Sequence, residues 1–181
     1  MKSEKLKELV QLRKAIRIRP KFATDQTIYG FPLVVTDQFM LLHEIHDFHL
    51  NGYTIIPLPK LFAVRSGGRE RTLERILAEE KVLDKVGCPY NLNMDSFHGI
   101  FKSIQALAKN VIVETVEVDG NMLDERYMIG KIVGMSARSV AIMNFDDTGK
   151  WDTEPTILAY KQIKWVTFDS EYINTFSKYL T

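Results

Sequence analysis

The chain of 181 residues has a single cysteine, Cys88, in the loop-like run Val86-Gly87-Cys88-Pro89. One thiol excludes an internal disulfide framework and any structural zinc site built on several thiolates. No apolar run reaches the roughly 18 residues a transmembrane helix needs, so no membrane association is expected. The opening segment, MKSEKLKELVQLRKAIRIRP, mixes acids with bases and lacks the apolar centre of a secretory signal. The expected address is therefore the cytoplasm. Net charge is only +1, which supplies no global attraction to nucleic acid or to membranes. No Ser-His-Asp or Cys-His arrangement can be assembled around the lone thiol, so no enzyme is expected and no cofactor is implied.

What is present is ordinary globular composition, 45% hydrophobic and 26% charged. The charge is unevenly spread. Residues 1–75 hold 13 Lys/Arg against 8 Asp/Glu, whereas residues 76–181 hold 11 against 15. A molecule polarised in this way can associate head to tail with copies of itself or offer a basic face to an acidic partner.

Periodicity predicts an amphipathic helix over residues 3–14, with Leu6, Leu9, Val10 and Leu12 near helical spacing. The run Ala15 to Phe22 then alternates Ile16 and Ile18 with Arg17 and Arg19, as a half-buried strand does, and Pro20 suits its end. Short strands are expected at Ile28 to Thr36, Phe39 to His46, Tyr53 to Pro57 and Leu61 to Arg65, with Asn51-Gly52 as a turn. A helix is predicted over Arg69 to Val86, stopped by Gly87 and Pro89. Asp95 or Ser96 caps a second one carrying Phe97, Ile100, Phe101, Ile104 and Leu107 on one face. Val111 to Val118 reads as a strand, Asp119-Gly120-Asn121 as a loop, and Glu171 to Leu180 as a closing helix.

The segment from Gly130 to Ser170 has nearly the outline of Gly30 to Arg65. At an offset of 100, Gly30 meets Gly130, Leu42 meets Ile142 and Asp47 meets Asp147. With two further residues in the second loop, Thr54 meets Thr156, Leu61 meets Ile163 and Val64 meets Val166. The expectation is a mainly β protein with helices (α+β), made of two repeated small β-barrels over residues 1–88 and 89–181, each with flanking helices. A helix capping a bent five-stranded sheet closes such a barrel with few residues and hides its edges.

The pattern Gly-x-x-x-φ-x-x-Asp-x-x-Met-Leu-Leu (φ an apolar residue), formed by Gly30, Val34, Asp37, Met40, Leu41 and Leu42, resembles the first signature of Sm-like small β-barrels. Val64-Arg65-Ser66-Gly67 is similar to part of their second. More broadly, LLxxIxDxxLxGY at Leu41 to Tyr53 and NVxVE at Asn110 to Glu114 resemble uncharacterised bacterial proteins with tandem Sm-like or SH3-like barrels. The resemblance implies a binding module.

Three functions are open. The first is a non-enzymatic binding or scaffold protein, acting through barrel surfaces and strand edges on a protein partner or on itself as a homo-oligomer. The second is a nucleic-acid-binding module using Arg13, Lys14, Arg17, Arg19 and Lys21, joined by Arg65 and Arg69 beside the Gly67-Gly68 helix start, with Phe22 and Tyr29 as stacking platforms. The third is a metal-dependent enzyme using the His43–His49 hairpin, in which His46, Asp47 and His49 converge only if the chain turns tightly after Asp47. The acidic loop of Asp146, Asp147, Asp152 and Glu154 around Trp151 reads as hairpin-turn chemistry.

Overall fold

The computed structural model describes residues 3–21, 26–119 and 122–181. Two compact units divide the chain, Met1–Tyr90 and Asn91–Thr181. Among the described residues no helix is long and apolar enough to cross a membrane.

Unit 1 opens with α1 (Ser3–Gln11), which buries Leu6 and leaves Lys5, Lys7 and Glu8 in solvent. The helix ends in a left-handed residue, Arg13 (φ 48°). Its N–H donates to the Val10 carbonyl, and the Lys14 N–H to that of Leu9, satisfying the last carbonyls in a Schellman arrangement. Strands β1 (Ile16–Pro20), β2 (Ile28–Val35), β3 (Phe39–His46), β4 (His49–Pro57) and β5 (Leu61–Arg65) follow, with a 3-10 turn at Leu58–Lys60 before the last. Their order is β5-β1-β2-β3-β4, antiparallel throughout. Phe22 lies outside the described residues.

The alternation of β1 works as the sequence suggests. Ile16 and Ile18 are fully buried, while Arg17 and Arg19 point to the other face. That other face is covered in part by α2 (Gly68–Glu79), where Ala15, Phe31, Ile45 and Leu77 make a core with Tyr29, Leu33 and Leu73 against it. Because β3 has buried neighbours on both faces, Phe39 to Leu42 reads as a continuous apolar run rather than an alternating one.

The predicted helix through Val86 is shorter than expected. Lys81 (φ 56°) takes the left-handed conformation, its N–H donating to Ala78 and that of Val82 to Leu77, and only a 3-10 turn at Leu83–Lys85 follows. A Schellman stop without glycine leaves little trace in sequence. The segment beyond is fastened by Arg13, whose guanidinium donates to the Val86 carbonyl at 3.0 Å, and by the Tyr53 hydroxyl, which donates to the Gly87 carbonyl at 3.0 Å. The Gly87 N–H in turn donates to His43 Nδ1 at 3.3 Å.

Unit 2 runs α3 (Phe97–Ala106), β6 (Val111–Asp119), β7 (Met122–Met135), β8 (Ser139–Asn144), β9 (Thr156–Ala159), a 3-10 turn at Tyr160–Gln162, β10 (Ile163–Phe168) and α4 (Glu171–Phe176). Its order is β10-β6-β7-β8-β9. Ser96 caps α3 by accepting from the Gly99 N–H at 3.1 Å, and Ser170 caps α4 through the Ile173 N–H. The closing helix is shorter than expected, because a 3-10 turn at Ser177–Tyr179 replaces its last part. Gly120 and Asn121, in the expected loop, lie outside the described residues.

The registers of the two units correspond. Gly30 faces Glu44 and Gly130 faces Asn144; Ile18 faces Val64 and Val113 faces Val166. A bulge falls between Pro32 and Val34 in one and between Ile132 and Gly134 in the other. The Thr36 hydroxyl accepts from the N–H groups of Gln38 and Phe39, as that of Ser136 does from Arg138 and Ser139. Among the described residues, neither unit has a ladder joining its fourth strand to its fifth. The barrel expected from the sequence is therefore not closed by hydrogen bonds, since the fifth strand pairs with the first and leaves the fourth.

Candidate functional site

Strand pairing in unit 1 sets Arg17 directly opposite Arg65 on one side and opposite Tyr29 on the other, and Tyr29 opposite Ile45. One row across the sheet therefore reads Arg65–Arg17–Tyr29–Ile45, on the face where α2 begins. Like charges facing each other across a ladder are unfavourable. Here the repulsion is partly offset by Glu70 in the first turn of α2, whose Oε1 lies 3.3 Å from Arg17 Nε. Glu70 is only 2% exposed. Its Oε2 accepts from the Gly67 N–H at 2.7 Å, which caps the helix, while Oε1 makes no hydrogen bond and has only the ion pair.

Around this row lies a groove of about 560 Å³ lined by Lys5, Lys14, Arg17, Arg65, Arg69 and Arg71 together with the Gly67-Gly68 backbone. Lys14 is held by Glu74 at 3.2 Å, the same carboxylate that accepts from the Ala15 N–H at 2.7 Å. Among the described residues, Lys5, Arg65, Arg69 and Arg71 form no ion pair with a carboxylate. Arg19 lines a smaller cleft of about 80 Å³ with Arg17, Phe62 and Arg65. Two candidates stand apart: Arg13 is committed to the Val86 carbonyl, and Lys21 is exposed but lines neither space.

Arg69 is shared with a second space. Its guanidinium carbon sits 5.7 Å from the centroid of the Tyr29 ring, a cation–π contact. Beyond Tyr29 opens a mostly apolar cavity of about 400 Å³, walled by Ile45, Phe48, Leu73 and Ile76, with Asp47 and Thr72 as further polar members. Asp47 and Phe48 form the two-residue turn between β3 and β4, with φ of 43° and 68°. Both signs are positive, as a type I′ hairpin requires, but that turn favours Asn-Gly. A bulky aromatic there costs roughly 1–2 kcal/mol of backbone strain.

The tight turn after Asp47 thus exists, and it places His46 opposite His49 in the ladder with His46 Nδ1 3.8 Å from Asp47 Oδ2. Among the described residues, no group of three or more His, Cys, Asp or Glu side chains is arranged to hold a metal ion. In the acidic loop of unit 2, Asp146 Oδ1 accepts from the Thr148 hydroxyl at 2.7 Å and from the N–H groups of Thr148 and Lys150. These hydrogen bonds, the hydroxyl's foremost, hold its carboxyl below its ordinary range. Asp147, Asp152 and Glu154 are exposed.

One feature escapes sequence reading. Lys164 is 1% exposed, with Nζ 3.0 Å from Glu125, 3.8 Å from Glu114 and 4.4 Å from the Trp165 ring centroid. His43, the first histidine of the candidate metal hairpin, is instead buried and stacked on Tyr53 at 4.7 Å, with its Nδ1 accepting from the Gly87 N–H. Compared with protein-family models, curated proteins and solved structures, the chain matches none of them.

Proposed function

We propose a non-enzymatic binding protein built from two copies of one small Sm-like or SH3-like unit, which joins copies of itself through strand edges. The observation that supports it is the state of two strands. Among the described residues, β5 and β9 each have a ladder partner on one side alone, and each exposes a large apolar side chain, Phe62 at 69% and Ile157 at 71%. An unpaired edge with exposed apolar residues is a template for strand addition. The edges belong to different units, so pairing one to the other makes a heterologous, head-to-tail contact that yields a ring or a filament. The uneven charge agrees, unit 1 having 15 Lys/Arg against 11 Asp/Glu and unit 2 having 9 against 12. Light scattering of the purified protein should show a defined oligomer, and Phe62→Lys or Ile157→Lys should each convert it to monomer with unchanged circular dichroism. A monomeric parent protein at all concentrations would sink this reading.

A second reading, binding of single-stranded nucleic acid, rests on the Arg17–Arg65 pair and the groove around it. Two facing guanidiniums are relieved by a bridging phosphate, and the neighbouring aromatic Tyr29 offers a ring face. Affinity for an oligonucleotide should fall steeply with salt, and absence of binding at about 50 mM salt would remove the reading.

A further inference from the structure

We propose that the cavity between the β3–β4 hairpin and α2 is a nucleobase pocket selective for guanine, acting with the Arg17–Arg65 pair as one nucleotide site. This rests on the nucleic-acid reading above and makes it specific. At about 400 Å³ the cavity falls within the size usual for small-molecule sites, roughly 300–1,000 Å³. Its walls are mostly apolar, as a base requires, with Tyr29 and Phe48 as the aromatic members. Arg69 lines both this cavity and the basic groove, so a base in the first leaves its phosphate facing the second.

The base is chosen by Asp47, the one carboxylate among the described residues of the lining. A carboxylate only accepts hydrogen bonds, and that of Asp47, 89% exposed with Oδ2 3.8 Å from His46 Nδ1, is accessible to a ligand with paired donors. Guanine presents adjacent N1–H and N2–H donors on its pairing edge. Adenine and cytosine place an acceptor nitrogen beside their amino group, and uracil flanks its single N–H with two carbonyls. The hairpin supports the assignment, because it holds Phe48 at a positive φ that glycine would adopt freely, and so keeps an aromatic ring at the cavity. Unit 2 does not repeat the row, since Thr167, Ile112 and Ile129 stand in place of Arg65, Arg17 and Tyr29.

The test is fluorescence anisotropy with oligouridine and with the same strand carrying guanine, adenine or cytosine at one internal position, at about 50 mM salt. The guanine strand should bind about tenfold tighter than the others, the discrimination expected of one two-donor contact. Asp47→Asn should erase that preference while leaving the weaker binding intact. Arg65→Ala/Arg69→Ala, both at exposed positions, should weaken every strand about tenfold or more and lower the salt slope by roughly 0.7 for each phosphate no longer neutralised. Equal affinity for all four strands overturns the guanine pocket and leaves the nucleic-acid reading standing. No binding of any strand, or equal competition by polyglutamate, overturns both.

Discussion

The same place in the two units carries opposite chemistry. Where unit 1 has Arg17 against the buried first-turn residue Glu70 of α2, unit 2 has Ile112 in the equivalent strand and Ile173 at the same step of α4. Glu70 and Ile173 are almost equally buried, at 2% and 1%. A buried ion pair is no better for stability than two well-packed apolar residues, and often worse. Unit 2 shows that this order of strands forms without the charges. The arginines of unit 1 are therefore not a requirement of the architecture, and their accumulation at one helix start needs a reason outside it.

The largest effect should come where the units agree. A Cβ at Gly130 would lie 1.9 Å from the Met143 carbonyl oxygen, and one at Gly30 would lie 2.4 Å from that of His43. Neither oxygen can yield, because both belong to strand backbone. Gly130→Ala should cost about 3 kcal/mol or more and Gly30→Ala somewhat less, measured by urea unfolding. A tolerated alanine at either position would show that the two sheets do not need this close approach.

Where the units differ, grafting one onto the other sharpens the contrast. Arg17→Ile alone should cost about 2 kcal/mol, since it strands the Glu70 carboxylate in a dry place. The pair Arg17→Ile/Glu70→Ile should return to within about 1 kcal/mol of the parent or exceed it. A double variant as unstable as the single one would show that unit 1 needs the ion pair for its stability.

A smaller effect is expected at Glu44, whose counterpart is Asn144. Each meets a threonine of the next strand: the Thr54 hydroxyl donates to Glu44 Oε2 at 2.6 Å, and Asn144 Nδ2 donates to Thr156 Oγ1 at 2.9 Å. Burial pushes the Glu44 carboxyl above its ordinary range, against the lowering from that hydrogen bond and from His46. The folded state thus holds its proton longer than the unfolded one. Stability from this group is present below the ordinary carboxylate range and is lost as pH rises through the raised value. Glu44→Gln should remove that loss, giving about 0.5 kcal/mol more stability at neutral pH and a flatter acid-side profile in thermal melts. An unchanged profile would show that Glu44 titrates as a solvated carboxylate.

Much of the strand content was legible, because short alternating runs are local signals, but the turn expected at Asn51-Gly52 lies inside β4 and the hairpin turns at Asp47-Phe48 instead. Arg17, Arg65 and Arg69 were legible as members of one basic set, but not Arg17 and Arg65 as direct neighbours. Their adjacency needs the pairing of β1 with β5, separated by more than forty positions in the chain, and no local pattern encodes it. The cavity was not legible at all, since Asp47-Phe48 lacks the asparagine and glycine that mark a tight hairpin and Tyr29 looks like any strand aromatic. The end of α2 was missed because Lys81 adopts a conformation that its side chain does not advertise.

The fastening of the stretch after Leu83–Lys85 has a practical side. Cys88 adjoins Gly87, whose two backbone groups are held by His43 and Tyr53, and the chain offers no other thiol for a maleimide reagent. A dye attached to the wild-type chain therefore lands on a single known position, and its emission would follow the loosening of those two hydrogen bonds during unfolding without any mutagenesis.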